Sequence, residues 1–73
     1  MRGYTRRLGN RLTRLAYRQR LTDAEVAARA GISRAQLNRI RNRRALPRVR
    51  TALALASALA CRVADLFFLE RDR

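Results

Sequence analysis

Apolar residues recur three and four positions apart along most of this chain, the spacing of one face of an α-helix. The first stretch runs from Asn10 to about Arg20, with Leu12, Leu15, Ala16 and Gln19 on one side and Arg11, Arg14 and Arg18 on others. The second covers Asp23 to Ala30. In front of it Thr22 and Glu25 form a T-x-x-E capping box, in which hydroxyl and carboxylate each satisfy a free backbone N–H. Leu21, just before the cap, is placed to staple onto Val26. Gly31 stops the second helix, because the left-handed backbone of a helix end suits glycine. Ser33 caps a third helix, with Gln36 completing S-x-x-Q, and Leu37 and Ile40 point inward. Leu46-Pro47 breaks the pattern, since the residue before proline avoids helical geometry and proline suits a first turn. A fourth helix follows from about Arg48 to Ala60, with Val49, Ala52, Leu53, Ala56 and Leu59 assigned to one face. A fifth, about Val63 to Leu69, contributes Val63, Leu66 and Phe67. No segment carries a strand signal. The expectation is an all-α, compact bundle of five short helices, one domain over residues 10–69, with a basic arm at 1–9 and a short tail at 70–73.

The run Val26-Ala27-x-x-Ala30-Gly31-Ile32, followed by Leu37 and Ile40, lets two short helices cross steeply with one glycine at the corner. Such a corner holds the second helix of the pair out from the body. What that helix carries is charge. The 73 residues hold 18 basic and 5 acidic side chains, a formal charge of +13. A balance of that kind implies a polyanionic partner, nucleic acid before membrane. Between Glu25 and Asp65 there are nine arginines and no carboxylate, which predicts a surface of one sign. All the basic residues are arginine. Its planar fork grips phosphates and guanine edges, although a GC-rich coding sequence produces the same bias.

Composition also excludes. There is no histidine and one cysteine, Cys61, so an internal disulfide and Cys2His2 zinc sites are ruled out. No metal or other cofactor is expected. The longest uncharged stretch, Thr51 to Cys61, is too short to span a bilayer. A cytoplasmic protein fits, with Cys61 as a small core residue. No nucleophile–base pair can be assembled, because Asp23 and Glu25 serve a helix start and the other carboxylates lie near the C-terminus; an enzyme is not expected.

At this point the chain resembles the phage-repressor and Cro-like (XRE-type) helix-turn-helix family of small transcriptional regulators. The residues that carry the resemblance are Leu12 and Leu15, Leu21-Thr22, Val26-Ala27, Gly31, Ser33, Leu37 and Ile40, Pro47, Leu53, Leu55-Ala56, Leu59 and Asp65-Leu66-Phe67. They stand in the family's order over about residues 10 to 68. Four positions depart from it. Asp23 replaces a glutamine that approaches a phosphate in relatives, and a carboxylate there repels one. Arg41 and Ala16 occupy the places of a glutamate–arginine pair. Arg43 replaces the usual glycine after the third helix, so that helix is expected to run on or end differently.

The resemblance implies that the third helix enters the major groove of double-stranded DNA and reads bases from its first turns. By position Arg34, Ala35, Gln36, Asn38 and Arg39 face the bases. Arginine pairs with guanine O6 and N7, asparagine with adenine N6 and N7, and Ala35 suits a thymine methyl. Gln36 is equally well explained by its capping role. Thr22, Arg41, Arg43, Arg44 and Arg48 are assigned to phosphates, where contacts set register without reading sequence; cations at a helix C-terminus also stabilise its dipole. Arg2, Arg6 and Arg7 form an arm that either follows the DNA or is a solvated tail.

The fourth helix is apolar nearly all round from Ala52 to Ala60, and the tail adds Phe67-Phe68-Leu69. A helix apolar on every side is normally covered on every side. Leu55, Phe68 and Leu69 are therefore expected on a homodimer or partner surface. The functional expectation is a sequence-specific regulator, a repressor on a palindromic operator bound as a dimer. An antitoxin that also binds a toxin, a non-specific nucleic-acid binder and a membrane-active cationic peptide stand as alternatives.

Overall fold

The computed structural model describes residues 7–70. Its elements in order are β1 (Leu8–Asn10), α1 (Leu12–Arg18), α2 (Asp23–Ala30), α3 (Arg34–Arg41), α4 (Val49–Ala58), α5 (Val63–Leu66) and β2 (Phe67–Leu69). Five helices make the body, and α2 packs chiefly against α4 and then α3. One core, built from Leu12, Val26, Ala27, Leu37, Ile40, Leu55, Ala56, Leu59, Leu66 and Phe67, joins all of them. Leu21, Ile32, Ala45 and Cys61 pack against its margin. Burial pushes the Cys61 thiol up, so it stays protonated and acts as a small apolar group.

Two expectations on the ends of the chain are corrected. A small antiparallel sheet exists where no strand was expected: Leu8 pairs with Leu69, Gly9 with Phe68 and Asn10 with Phe67. The fifth helix accordingly stops at Leu66 instead of Leu69. The Glu70 N–H donates to the Arg7 carbonyl at 2.8 Å and extends the ladder. Such a short pair is marginal alone; here it stands because Phe67 is buried in the core and Phe68 lies over Gly9. A Cβ built on Gly9 comes within 2.6 Å of the Phe68 ring, so only glycine lets that ring lie there without moving. The Arg11 guanidinium covers the ring from 4.4 Å above its centroid. Leu8 and Gly9, read from the sequence as arm, are thus part of the folded body, whereas Arg2 and Arg6 lie outside the described residues.

Helix ends repeat one solution four times. After α1, α2, α3 and α4 the chain turns through a left-handed residue, namely Arg20 (φ 59), Gly31 (φ 73), Arg43 (φ 62) and Ala60 (φ 53). In each case the following N–H returns to a carbonyl five residues back: Leu21 to Ala16, Ile32 to Ala27, Arg44 to Arg39 and Cys61 to Ala56. This paired closure satisfies the last free carbonyls. Only Gly31 adopts the conformation without a Cβ penalty, which is of order 1–2 kcal/mol for other residues. Ala60→Gly is therefore expected to raise stability by about 1 kcal/mol, and Gly31→Ala to lower it by a similar amount although its Cβ would meet open space. Urea unfolding followed by circular dichroism checks both; an Ala60→Gly protein no more stable than the parent refutes the account.

Candidate nucleic-acid interface

The interface begins with how α3 is presented. The α2 capping box forms as expected: the Thr22 hydroxyl accepts the Glu25 N–H at 3.1 Å, and Glu25 Oε1 accepts the Thr22 N–H at 2.8 Å. Gly31 then turns the chain, and Ser33 Oγ accepts the Gln36 N–H at 3.0 Å to start α3. Leu37 and Ile40 enter the core, so the opposite side of α3 faces out. There Arg34, Ala35, Gln36 and Arg39 are exposed, and Asn38 is half-buried. Residues four and seven apart lie on one ridge of a helix, so Arg34, Asn38 and Arg41 form one ridge and Ala35, Arg39 and Asn42 the next. A shallow groove lined by Ser33, Ala35, Gln36, Arg39, Ala45 and Leu46 runs beside the second.

Among the described residues, Asp23, Asp65 and Glu70 each hold an arginine. Asp65 pairs with Arg62 on α5, its Oδ2 accepting Arg62 N and Nε at 3.2 Å. Glu70 takes Arg43, and Asp23 takes Arg41 at 2.6 Å. Among the described residues no carboxylate pairs with Arg34, Arg39, Arg44 or Arg48. These four guanidiniums remain available to an external anion, and Thr22, although its oxygen serves the cap, is exposed with its hydroxyl proton free to donate.

Several placements differ from the sequence expectation. Arg41 is held by Asp23 and by Asn38 instead of standing free for a phosphate. Asp23, expected to repel phosphate, is thereby neutralised, and a clamp between α2 and α3 takes the place of the missing pair between α1 and α3. Arg43 ends α3 in the left-handed position and reaches Glu70 beside the sheet. Leu55 is not on any partner surface: it is 0 % exposed, in the core between Ala56 and Leu59. The stripe of α4 that faces solvent holds Val49 and Leu53, 76 % and 56 % exposed, both expected inside. Of the three residues read as partner surface, Phe68 is half-buried beneath Arg11 and Leu69 alone is exposed.

Asn10 carries a role that its sequence position did not signal. Its Oδ1 accepts the Leu12 N–H at 3.1 Å, and its Nδ2 donates to the carbonyls of Ile40 and Arg41 at 3.3 and 3.2 Å. One side chain thus ties the first residue of α1 to the carbonyls at the end of α3.

The sequence model of the Cro/C1-type HTH DNA-binding domain matches residues 11–72. The chain belongs to that family. It is a DNA-binding protein of the kind that regulates transcription, and α2 and α3 are its helix-turn-helix. A comparison with curated proteins finds no match. No helix is long and apolar enough to cross a membrane, and no cluster of potential metal ligands occurs among the described residues.

The capping box makes this helix-turn-helix sensitive to acid. Hydrogen bonding from the Thr22 backbone, then from its side chain, holds the Glu25 carboxyl below the usual carboxylate range. Asp65 is lowered in the same way by the Arg62 side chain and backbone. A depressed pKa means that the stabilisation is complete above the ordinary carboxylate value and is lost as pH falls through the folded value. The melting temperature is expected to fall on acidification below that range, and Glu25→Gln to fall less steeply than the parent. Parallel melts from neutral to strongly acidic pH check this; identical acid slopes in the two proteins would remove Glu25 from the explanation.

Proposed function

We propose that this Cro/C1-type domain is a sequence-specific transcriptional regulator that inserts α3 into the major groove and represses by occluding a promoter. The observation that carries the reading is the outer face of α3, where Arg34 and Arg39 stand exposed with no carboxylate partner among the described residues. Arg34, Ala35, Gln36, Asn38 and Arg39 read base edges; Arg44, Arg48 and Thr22 hold phosphates on either side. Arg41 and Arg43, already paired with Asp23 and Glu70, hold the end of the helix in place. Two copies act on half-sites about one helical turn apart, because the two-fold symmetry of a dimer imposes symmetry on its operator. Exposed Leu69 and the Val49–Leu53 stripe supply apolar surface for that pairing.

Selection from a random pool of duplex DNA, followed by titration of the selected and unselected sequences at fixed salt, tests the reading. A specific binder prefers its site by roughly 10³–10⁷ over its own non-specific affinity. Less than about tenfold discrimination, with binding that collapses as salt rises, makes the protein a non-specific polyanion binder instead.

A further inference from the structure

Asn38 lies on the α3 ridge that also holds Arg34 and Arg41. Its Oδ1 accepts Nη2 of Arg41, and Nη1 of the same guanidinium donates to Asp23 Oδ1 at 2.6 Å. Asp23 is the first residue of α2, so Arg41 is anchored across the helix pair and not merely resting on a neighbour. A guanidinium has five N–H donors and no acceptor. Whichever amide atom of Asn38 meets it must therefore be the oxygen, and the nitrogen must point the other way. The carbonyl is turned along the helix toward Arg41, while the two Nδ2 hydrogens are what the amide still offers outward.

That orientation changes what Asn38 can read. The familiar asparagine–adenine pair needs both amide atoms aimed at one base edge, the N–H to N7 and the oxygen toward the N6 amino group. An amide whose oxygen faces Arg41 cannot present both. In the major groove guanine offers two acceptors, N7 and O6, and thymine offers O4; adenine offers N7 but sets beside it an N6 amino donor that a donor-only amide cannot satisfy, and cytosine offers only a donor. We propose that the Asp23–Arg41 pair makes Asn38 a donor-only reader that selects a keto base, guanine or thymine, where an unclamped asparagine would select adenine. This rests on α3 being the reading helix. Asp23, a departure from the family pattern at a phosphate-facing position, acquires a purpose: its carboxylate keeps Arg41 from swinging out to a phosphate and releasing the amide.

Site selection from random duplex DNA with the full chain, run in parallel for the parent, Asn38→Ala, Arg41→Met and Arg41→Lys, tests the proposal. The operator column that flattens in Asn38→Ala marks the base that Asn38 reads. In the parent that column is expected to favour guanine or thymine over adenine by about tenfold or more. Arg41→Met keeps an unbranched apolar stem but frees Oδ1, and the column is expected to move to adenine. Arg41→Lys retains a donor, and the keto preference is expected to survive. Adenine in the parent's column, no column that depends on Asn38, or no change in Arg41→Met overturns the proposal while leaving the regulator reading intact. A parent pool without any preferred sequence removes both together. Should Arg41→Met melt below the assay temperature, the parent column and Arg41→Lys decide the matter.

Discussion

Leu55→Ala is expected to lose about 2–5 kcal/mol of stability, the cost of a leucine-to-alanine cavity in a packed core. The side chain is fully buried, beside Ala56 and Leu59 on the face that α4 turns to α2. Natural domains are stable by roughly 0.05–0.15 kcal/mol per residue, so a chain of 73 residues has only about 4–11 kcal/mol in hand. One substitution therefore removes a large part of the total, and a melting-temperature drop of at least about 10 °C is expected for a domain this small. Leu53→Ala, two residues away on the exposed stripe, is expected to change stability by within about 0.5 kcal/mol. The contrast is what matters. Were Leu55 a partner-facing residue, its loss would leave melting unchanged and alter sedimentation instead, and the placement of α4 would be wrong.

Arg39→Ala is expected to weaken operator binding by roughly 1–3 kcal/mol and to relax preference at a single base pair. Arg39 stands exposed on the outer face of α3, no described carboxylate competes for it, and it lines the groove with Ala35 and Gln36. Arg44 follows the left-handed turn at the end of α3, and its own N–H closes that turn onto Arg39. It is placed to meet backbone, so Arg44→Ala is expected to weaken all sequences alike and to reduce the salt slope by about 1. Binding measured on the operator, on single-base variants of it and across a salt series separates the two behaviours. An Arg39 variant that behaves like the Arg44 variant would mean that the reading face had been placed on the wrong side of α3.

Much of the fold was legible because its signals are local. Thr22, Glu25 and Ser33 cap helices with atoms three residues away; the Thr22–Glu25 box forms in full, whereas at Ser33 only the hydroxyl half of the expected S-x-x-Q box is made and the Gln36 side chain does not return. Gly31 stands at the corner with the positive φ that its position required. Leu37 and Ile40 point inward because α3 is apolar on one narrow side only. The fourth helix was different. With apolar residues on every side, periodicity could not choose between the Val49–Leu53 stripe and the Leu55–Ala56–Leu59 stripe, and the sequence expectation took a mixture. The choice depends on what α2 presents, which is a property of the assembled body.

The sheet escaped for a related reason. Two three-residue strands near opposite ends of the chain carry no alternation of their own, and their pairing exists only once Phe67 has entered the core and Gly9 has met Phe68. The non-glycine helix ends at Arg20, Arg43 and Ala60 are likewise unreadable from propensity, since packing across the turn overrides their local cost.

The sequence alone determined the helices, their caps, the glycine corner, the excess of positive charge and the family to which these belong, because hydrogen bonds within a few residues and the period of the apolar positions settle such features. Only the tertiary structure decided which arginines are free. Asp23 and Arg41 are eighteen residues apart and Arg43 and Glu70 twenty-seven, and a charge is neutralised by what lies beside it in space, whatever its place along the chain.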